Sequence, residues 1–250
     1  VMGWYLNRKL SDFMEHWPGL YLSVQKWRYR KMPGRLKRMV SPDTDIMIEG
    51  YPRCANSFSV KAFRFSEAFS NKMKIATHLH SPAHVILSVR MHVPTLVLIR
   101  HPDGAVVSKL AKFVQFNELP TLQKGRAISE KEKKRLTRYW TLRYADFYKT
   151  LVPYVDNIVV GEFQEATNDF SGIMKRINTK FNKSFSVFNH SSANAQKIFS
   201  SAKPHLYPSW ERDRIKSLFE AEYLSPENSI CREKAIDAYQ RFVKLSGCCQ

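Results

Sequence analysis

Residues 45–58 read Asp-Ile-Met-Ile-Glu-Gly-Tyr-Pro-Arg-Cys-Ala-Asn-Ser-Phe. The apolar run Ile46–Ile48 predicts a short β-strand, and Gly50 and Pro52 predict a turn directly after it. Apolar residues then recur at the spacing of one helical face, at Phe58, Ala62, Phe65 and Phe69. The first N–H groups of a helix have no partner within it, and the helix dipole adds partial positive charge there. The stretch therefore predicts an anion-binding loop between a strand and a helix.

The spacing of this loop is close to that of the phosphate-binding loop, in which a Gly and four further residues precede Gly-Lys-Ser or Gly-Lys-Thr. Gly50 and Ser57 fill the first and last positions, but Ala55 and Asn56 replace the second Gly and the Lys. A kinase or ATPase without that Lys loses the cation that reaches the outer phosphates. Because Arg53 supplies a cation within the turn instead, the loop predicts phosphate binding without ordinary nucleoside-triphosphate chemistry.

Strands and helices are predicted to alternate after this loop. Residues 74–80 predict a second strand, and the continuous apolar run of residues 94–99 predicts a third that is covered on both faces. The alternation predicts an α/β fold, a three-layer, doubly wound parallel sheet flanked by helices. Ligands bind such sheets at the carboxyl ends of the strands, where residues 50–56, His78 and Arg100 are expected to converge.

The third predicted strand leads into a second candidate anion site. Residues 100–108 read Arg-His-Pro-Asp-Gly-Ala-Val-Val-Ser. An Arg that leaves a strand end and a hydroxyl about two turns into the next helix can both face one phosphate. Arg100 and Ser108 are therefore candidates to hold an anion together. Taken by themselves, Arg100 could instead cap the strand, and Ser108 could bond back to a helix carbonyl.

Both loops resemble those of the sulfotransferases that use 3'-phosphoadenosine 5'-phosphosulfate (PAPS). The phosphosulfate loop of that family usually reads Pro, Lys or Arg, Ser-Gly-Thr-Thr and Trp, where residues 52–58 read Pro-Arg-Cys-Ala-Asn-Ser-Phe. The family then has an Arg followed by Asp-Pro-Arg-Asp-Ala-Val-Val-Ser, of which residues 100–108 keep the Arg, the Pro, Ala-Val-Val and the Ser. The resemblance extends over about residues 45–165. It implies a sulfotransferase fold, which is similar to that of the P-loop NTPases.

The resemblance also implies which residues bind PAPS. The first loop would hold the 5'-phosphosulfate, and Arg100 with Ser108 would hold the 3'-phosphate. Phe58 stands where the family has its adenine-stacking Trp, and Phe163 matches an aromatic residue near the adenine. The family's late Arg-Lys-Gly sequence is missing, and Lys203 is the candidate to replace part of its phosphate contact. The implied cofactor-binding residues are Arg53, Cys54, Ala55, Asn56, Ser57, Phe58, Arg100, Ser108, Phe163 and Lys203.

His78 is the candidate base. Many cytosolic members of the family have Lys-Thr-His-Leu at this place, and the chain keeps Thr-His-Leu at residues 77–79. An imidazole titrates near neutral pH and can accept the proton of the acceptor. His80 is the alternative, since both rings would share a face if the strand continued. Arg53 is the candidate for stabilising the leaving phosphate. No metal is implied, because the third strand leads into Arg100 rather than the magnesium-binding Asp of phosphate-loop NTPases.

The chain is strongly basic, with a formal net charge of +18. We expect a basic aromatic N-terminal extension at residues 1–40 and a single sulfotransferase-like domain at residues 41–250. In the extension, Trp27 and Tyr29 alternate with Lys and Arg. Such a segment could bind a membrane surface or a sugar polyanion, or it could pack its aromatic residues on the main domain.

The remaining expectations concern location and partners. No signal peptide or membrane-spanning run is evident, and four cysteines are too few for a disulfide framework, which favours the cytoplasm, with peripheral membrane contact as a candidate. The predicted function is transfer of a sulfuryl group from PAPS to a hydroxyl or amine. The acceptor is not identified, a glycan or a lipid being candidates, and no nucleic-acid partner is expected. The alternatives are a nucleotide kinase-like phosphotransferase and a non-catalytic polyanion-binding protein on the same fold.

Overall fold

Short buried strands form the centre of the molecule, and helices surround them. The structure, a computed structural model, describes residues 2–67, 73–116, 128–200 and 210–247. The strands are β1 (Ile46–Gly50), β2 (Ile75–Thr77), β3 (Thr95–Ile99) and β4 (Val159–Glu162). The α-helices are α1 (Met2–Met14), α2 (Pro18–Tyr29), α3 (Pro33–Leu36), α4 (Asn56–Ser66), α5 (Pro82–Arg90), α6 (Pro102–Gln115), α7 (Glu130–Leu151), α8 (Phe163–Asn168), α9 (Phe170–Phe181), α10 (Ser192–Ser200), α11 (Trp210–Tyr223) and α12 (Ser229–Ser246). Two 3₁₀ helices span Val152–Asn157 and Pro226–Asn228.

The four strands run parallel in the order β2-β1-β3-β4. The chain passes from β1 to β2 in one direction and then returns to place β3 on the other side of β1. Such a reversal leaves a crevice between the carboxyl ends of β1 and β3, and ligands bind in this crevice in sheets of this type. The predicted fold class, an α/β fold with a doubly wound parallel sheet flanked by helices, is confirmed.

Alternate residues of β1 face two separate apolar cores. Ile46 and Ile48 belong to the larger core cluster, whereas Met47 belongs to a smaller one with Leu22 and Leu87. Because successive side chains of a strand point to opposite faces of the sheet, the two clusters lie on opposite faces. Helices therefore cover the sheet on both sides, which explains why the sequences of β1 and β3 are almost continuously apolar.

The predicted N-terminal extension is helical in the described residues. It contains α1, α2 and α3, and its residues Leu22, Met39 and Val40 are buried in the smaller core cluster. The segment is therefore attached to one face of the sheet, and the domain boundary after residue 40 stays a prediction. None of the helices in the described part of the chain is long and apolar enough to cross a membrane.

The second strand is shorter than the sequence predicts. β2 ends at Thr77, and His78 and His80 have positive φ angles of 61° and 53°. The N–H of Leu79 donates to the buried Oε2 of Glu49 at 2.9 Å. This backbone donor is therefore bonded to a side-chain carboxylate and not to a neighbouring strand. The prediction that the strand continues to His80 is therefore wrong, and the condition under which both imidazole rings would share one strand face is not met.

Candidate active site

The loop between β1 and α4 lies at the crevice between β1 and β3. Arg53 and Ala55 have positive φ angles of 73° and 68°, and the eleven-residue helix α4 begins at the next residue, Asn56. A left-handed backbone costs a residue other than Gly about 1 kcal/mol. Turns of this kind gather backbone N–H groups into concavities that bind anions. The loop thus has the backbone conformation of an anion site at a helix N-terminus.

Gly50 allows this loop to start close to the neighbouring strand. A Cβ atom at Gly50 would lie 2.4 Å from the backbone oxygen of Leu98 in β3 and 3.1 Å from Oδ1 of Asn56. The first contact is with backbone and cannot be relieved by a side-chain rotation. Asn56, which stands where a phosphate-binding loop has its Lys, instead donates from Nδ2 to the backbone oxygen of Tyr51 at 3.0 Å. Asn56 is buried and stabilises the turn.

Arg53, Arg100 and Ser108 come together at the loop. Nε of Arg53 donates to Oγ of Ser108 at 3.0 Å, and Nη1 of Arg100 donates to the backbone oxygen of Arg53 at 3.4 Å. Arg53 follows β1, Arg100 follows β3, and Ser108 lies on α6. Two strand ends and a helix therefore bring two guanidinium groups and a hydroxyl to one side of the sheet. This arrangement can neutralise and orient a phosphate.

Several neighbours hold Arg100 in place. Oη of Tyr144 on α7 donates to the backbone oxygen of Arg100 at 2.6 Å, and the guanidinium carbon lies 4.1 Å from the ring centroid of Phe163. A Cβ atom at Gly104 would lie 2.8 Å from Nε of Arg100, so the absence of a side chain there makes room for the guanidinium. None of the ion pairs among the described residues includes Arg100.

Cys54 lies beneath the loop and not in the anion site. Its side chain is completely buried, and its Sγ lies 3.5 Å from Oη of Tyr148, which also donates to the backbone oxygen of Leu98 at 2.8 Å. Burial raises the pKa of the Cys54 thiol to about 12. The thiol is therefore protonated at neutral pH, and Cys54 can contribute to anion binding only through its backbone N–H.

His78 contacts the loop between β1 and α4, residues 50–57, which we call the anion loop. Its Nε2 lies 3.0 Å from Oγ of Ser57 near the start of α4, and its Nδ1 lies 2.8 Å from Oγ1 of Thr77. Burial, and next the neighbouring His80, lower the pKa of His78 to about 3. At neutral pH the His78 ring is therefore uncharged, and each of its nitrogens is hydrogen-bonded to a hydroxyl group. A base with so low a pKa has little driving force for proton abstraction at neutral pH.

Glu49 is a buried carboxylate that the sequence analysis did not select. It is fully buried in β1, and its two oxygens accept hydrogen bonds from the backbone N–H groups of Gly50 and Leu79. Its Oε1 lies 3.3 Å from Nδ1 of His80, and its Oε2 lies 3.2 Å from Nδ1 of His84. Burial alone would raise the pKa of the Glu49 carboxyl, but the hydrogen bonds with His80 and His84 hold it well below its usual value.

The contacts of His80 determine its tautomer. Nδ1 of His80 lies 2.8 Å from the backbone oxygen of Gly50 and close to the Glu49 carboxylate, both of which can only accept. Nδ1 must therefore carry the hydrogen, which leaves Nε2 of a neutral His80 as a proton acceptor. The ring centroid of His80 lies 5.6 Å from that of His78. His80 thus combines a carboxylate partner, an acceptor nitrogen and a place beside the anion loop.

Three further residues were predicted to bind the cofactor: Phe58, Phe163 and Lys203. Phe58, predicted to stack on adenine, is buried on α4 with its ring centroid 6.4 Å from that of Phe188 and 5.8 Å from that of His190. Phe163 begins α8 and stacks on Arg100. Lys203 lies outside the described residues, and so does Phe69, predicted to face the core from α4.

Weak sequence signals mark the residues that the sequence analysis missed. Glu49 is the only charged residue of β1, and a charge in the centre of a buried parallel strand requires a partner. Gly104 departs from the family pattern at a point where the structure needs space for Arg100. Tyr144 and Tyr148 look like core residues on α7 by their spacing, and only the tertiary contacts show that their hydroxyls reach the strand ends.

Comparisons with known proteins give one structural similarity. No model of a known protein family matches the chain, and no curated protein matches it. Among solved structures, the chain is similar to the crystal structure of mouse sulfotransferase SULT7A1 complexed with PAP, with a TM-score of 0.44 and 14% sequence identity. The similarity covers 86% of this chain and 88% of that chain. A similarity of this size supports no conclusion about chemistry, which has to be argued from the residues at the strand ends.

Proposed function

We propose that the protein transfers a sulfuryl group from PAPS to a hydroxyl or amine of an acceptor. The observation that carries this proposal is the meeting of Arg53, Arg100 and Ser108 beside the N-terminus of α4, at the crevice between β1 and β3. Two fixed guanidinium groups suit a ligand with two separate anionic groups, as PAPS has. When bound, PAPS would supply the sulfuryl group and an adenosine bisphosphate leaving group.

The residues beside the N-terminus of α4 fit the anionic groups of such a nucleotide. Arg53 and the N–H groups at the start of α4 would neutralise charge that develops on the 5'-phosphate, and Ser57 would donate a hydroxyl there. Arg100 and Ser108 would hold the 3'-phosphate. In the described part of the chain, no group of three or more His, Cys, Asp or Glu side chains could hold a metal ion.

We assign the base to His80 and a positioning role to His78. The sequence favoured His78, but its nitrogens are held by two hydroxyls and its pKa is lowered to about 3. His80 presents Nε2 as an acceptor because Nδ1–H is held by Glu49 and Gly50. The acceptor's O–H or N–H proton would pass to Nε2 of His80 as the acceptor oxygen or nitrogen forms its bond to sulfur. The bond between sulfur and the bridging oxygen of the 5'-phosphate would break at the same time, and 3',5'-adenosine bisphosphate would leave with the electron pair. Glu49 would stabilise the imidazolium that results.

Nucleotide binding tests the proposal before any acceptor is known. A ligand present at one hundred times its dissociation constant stabilises a protein by about 2.7 kcal/mol, which corresponds to a rise in Tm of roughly 5–10 °C for a chain of this size. We expect 3',5'-adenosine bisphosphate to produce such a rise, and Arg100→Ala to abolish it. The matched control is Arg90→Ala, which removes an exposed Arg at the end of α5 and should leave the rise intact.

The same measurement separates the alternative functions. A larger rise in Tm with ATP and magnesium than with the bisphosphate would support the nucleotide kinase-like phosphotransferase. A rise with heparin and with neither nucleotide would support the non-catalytic polyanion-binding protein. Transfer from labelled PAPS to a panel of hydroxyl and amine acceptors then tests catalysis itself, with glycans and lipids as the first candidates. Absence of a bisphosphate effect in the wild-type chain would contradict the proposal.

A further inference from the structure

The outward face of α2 carries an apolar stripe, formed by Leu20, Val24 and Trp27. These residues are spaced by four and three positions and so lie on one face of the helix. Leu20 is 54% exposed and Trp27 is 65% exposed, while Tyr21 and Leu22 are buried on the other side. A surface helix normally has one apolar face, which turns toward the core. α2 therefore has a second apolar face, which the described part of the chain leaves exposed at Leu20 and Trp27.

Aromatic residues continue the stripe toward α1. Phe13 near the end of α1 and Trp17 just before α2 are 59% and 50% exposed, with ring centroids 4.8 Å apart. Leu10, one turn before Phe13, is also exposed. Trp and large apolar side chains in this arrangement are typical of helices that lie in the interface between water and lipid.

Basic residues flank the stripe in the sequence, and the segment that contains α2 has no acidic residue. The sequence has no Asp or Glu between Glu15 and Asp43, whereas residues 25–39 contain seven Lys or Arg. Lys26 and Arg28 are exposed on α2 next to Trp27 in sequence. Lys and Arg can lay their aliphatic stems along apolar surface while their charged ends reach lipid headgroups. The charge around the stripe is therefore complementary to an anionic surface.

The acidic residues of this segment are turned toward the main domain. Oδ1 of Asp12 lies 3.3 Å from Nε of Arg143 on α7, and Oε2 of Glu15 lies 3.0 Å from Nη2 of the same residue. Oη of Tyr139 also donates to Oδ2 of Asp12 at 2.9 Å. These contacts fasten α1 to α7 and remove negative charge from the outer surface. The exposed side is left basic and apolar.

A cavity lined in part by α2 has the charge to hold an anionic headgroup. Its volume is about 400 Å³, and its lining residues are Lys26, Arg30, Leu36, Met39, Val40, Ser41 and Lys74. Lys74 is paired with Asp43, so Lys26 and Arg30 supply the positive charge. Arg30 also covers the ring of Trp27, with its guanidinium carbon 4.7 Å from the ring centroid. None of the lining residues belongs to the anion loop, so this cavity is separate from the candidate active site.

From these observations we propose that α1 and α2 dock on a membrane surface that contains anionic phospholipid. The apolar stripe enters the interface, and Lys26, Arg28 and Arg30 contact the headgroups. The inference does not depend on the transferase activity, because binding to vesicles requires neither nucleotide nor acceptor. If both proposals hold, docking would present the protein to acceptors that reside in or on a membrane.

Co-sedimentation with vesicles tests this docking surface. We expect the chain to bind vesicles made of equal parts phosphatidylcholine and phosphatidylserine, and to bind pure phosphatidylcholine much more weakly. Raising the salt concentration should weaken binding, because exposed charges are screened. Each Lys or Arg near an anionic surface contributes about fivefold to binding, so Lys26→Gln with Arg28→Gln should lower it roughly 25-fold. Leu20→Ser with Trp27→Ser should lower it at least about tenfold.

Matched variants elsewhere control for charge and for exposed aromatic surface. Lys175→Gln with Lys180→Gln removes two exposed cations from α9, and Trp210→Ser removes a Trp that is 77% exposed on α11. Both should bind vesicles as the wild-type chain does. A circular dichroism spectrum and a Tm without ligand equal to those of the wild-type chain would show that the α2 variants remain folded.

Three results would overturn the proposal. One is the absence of binding to the phosphatidylserine vesicles at low salt. Another is binding that the α2 variants and the control variants reduce equally. The third is binding to heparin, or self-association that the α2 variants abolish, without any binding to vesicles. In the third case, binding to heparin would assign the surface to a soluble polyanion, and self-association would assign it to a second copy of the chain.

Discussion

The protein holds its positive charge in two contrasting ways. At the candidate active site, Arg53 and Arg100 are partly buried, and hydrogen bonds and an aromatic ring set their positions. Along α2, Lys26 and Arg28 are exposed, and the ring contact of Arg30 with Trp27 is on the surface. Fixed cations recognise the positions of ligand atoms, whereas exposed cations respond mainly to the potential of a surface. The contrast predicts that the two regions will respond differently to the same kind of substitution.

The largest effect is expected at His80. His80→Ala should lower kcat for sulfuryl transfer by about 10²–10⁴-fold, the usual contribution of a general base, and leave bisphosphate affinity nearly unchanged. His78→Gln, which keeps a hydrogen-bonding group near Ser57, should have the smaller effect on kcat. The measurement is steady-state transfer from labelled PAPS with saturating acceptor. The opposite order of effects would place the base at His78.

A charge-preserving substitution compares the two regions directly. Arg100→Lys keeps the charge but loses the planar guanidinium that stacks on Phe163, so we expect bisphosphate affinity to fall by roughly 10–100-fold. Arg28→Lys on α2 should change vesicle binding by less than about twofold, because a surface potential does not depend on the geometry of one cation. Isothermal titration and co-sedimentation measure the two quantities. If Arg→Lys changed ligand binding equally at Arg100 and at Arg28, the distinction between fixed and exposed cations would be wrong.

A further effect is expected on the pH dependence of stability. Burial lowers the pKa of His78 from 6.5 to about 3, so between these values the unfolded state binds a proton that the folded state does not. His78 therefore destabilises the fold as pH falls through this range, by roughly 1 kcal/mol for each pH unit. His78→Gln should flatten the decline in the free energy of unfolding, as measured with urea. The control, His16→Gln, replaces an exposed imidazole near the docking surface. If both variants flattened the decline equally, the pH dependence could not be attributed to the lowered pKa of His78.

Local sequence patterns predicted much of the candidate site. The spacing of Gly50 and Ser57, with the apolar run before them, predicted a strand, a loop and a helix, and these are observed as β1 and α4. The apolar run that ends before Arg100 likewise predicted β3. Such elements depend on short-range periodicity and on turn residues, which a single sequence contains. The functional roles assigned to these residues stay predictions.

The tertiary structure determined the surroundings of the histidines. The sequence placed His78 and His80 on one strand, but the carboxylate of Glu49 binds Leu79 N–H and His80 and ends the strand early. Glu49 and His80 are separated by 31 positions, and nothing in local spacing indicates that they meet. This contact fixes the hydrogen of a neutral His80 on Nδ1, and our proposal that His80 is the base rests on it.

The sequence by itself determined the α/β alternation, the anion loop and the basic character of the N-terminal segment, because these follow from local spacing and composition. The sequence also led us to expect that Arg53 and Arg100 converge at the strand ends, but the tertiary structure decided that they share one crevice, since this depends on the order of β1 and β3 in the sheet. It also decided that Tyr21 is buried while Trp17 and Trp27 are exposed. A helix has two sides, and only the packing of α2 against α5 shows which aromatic residues remain exposed.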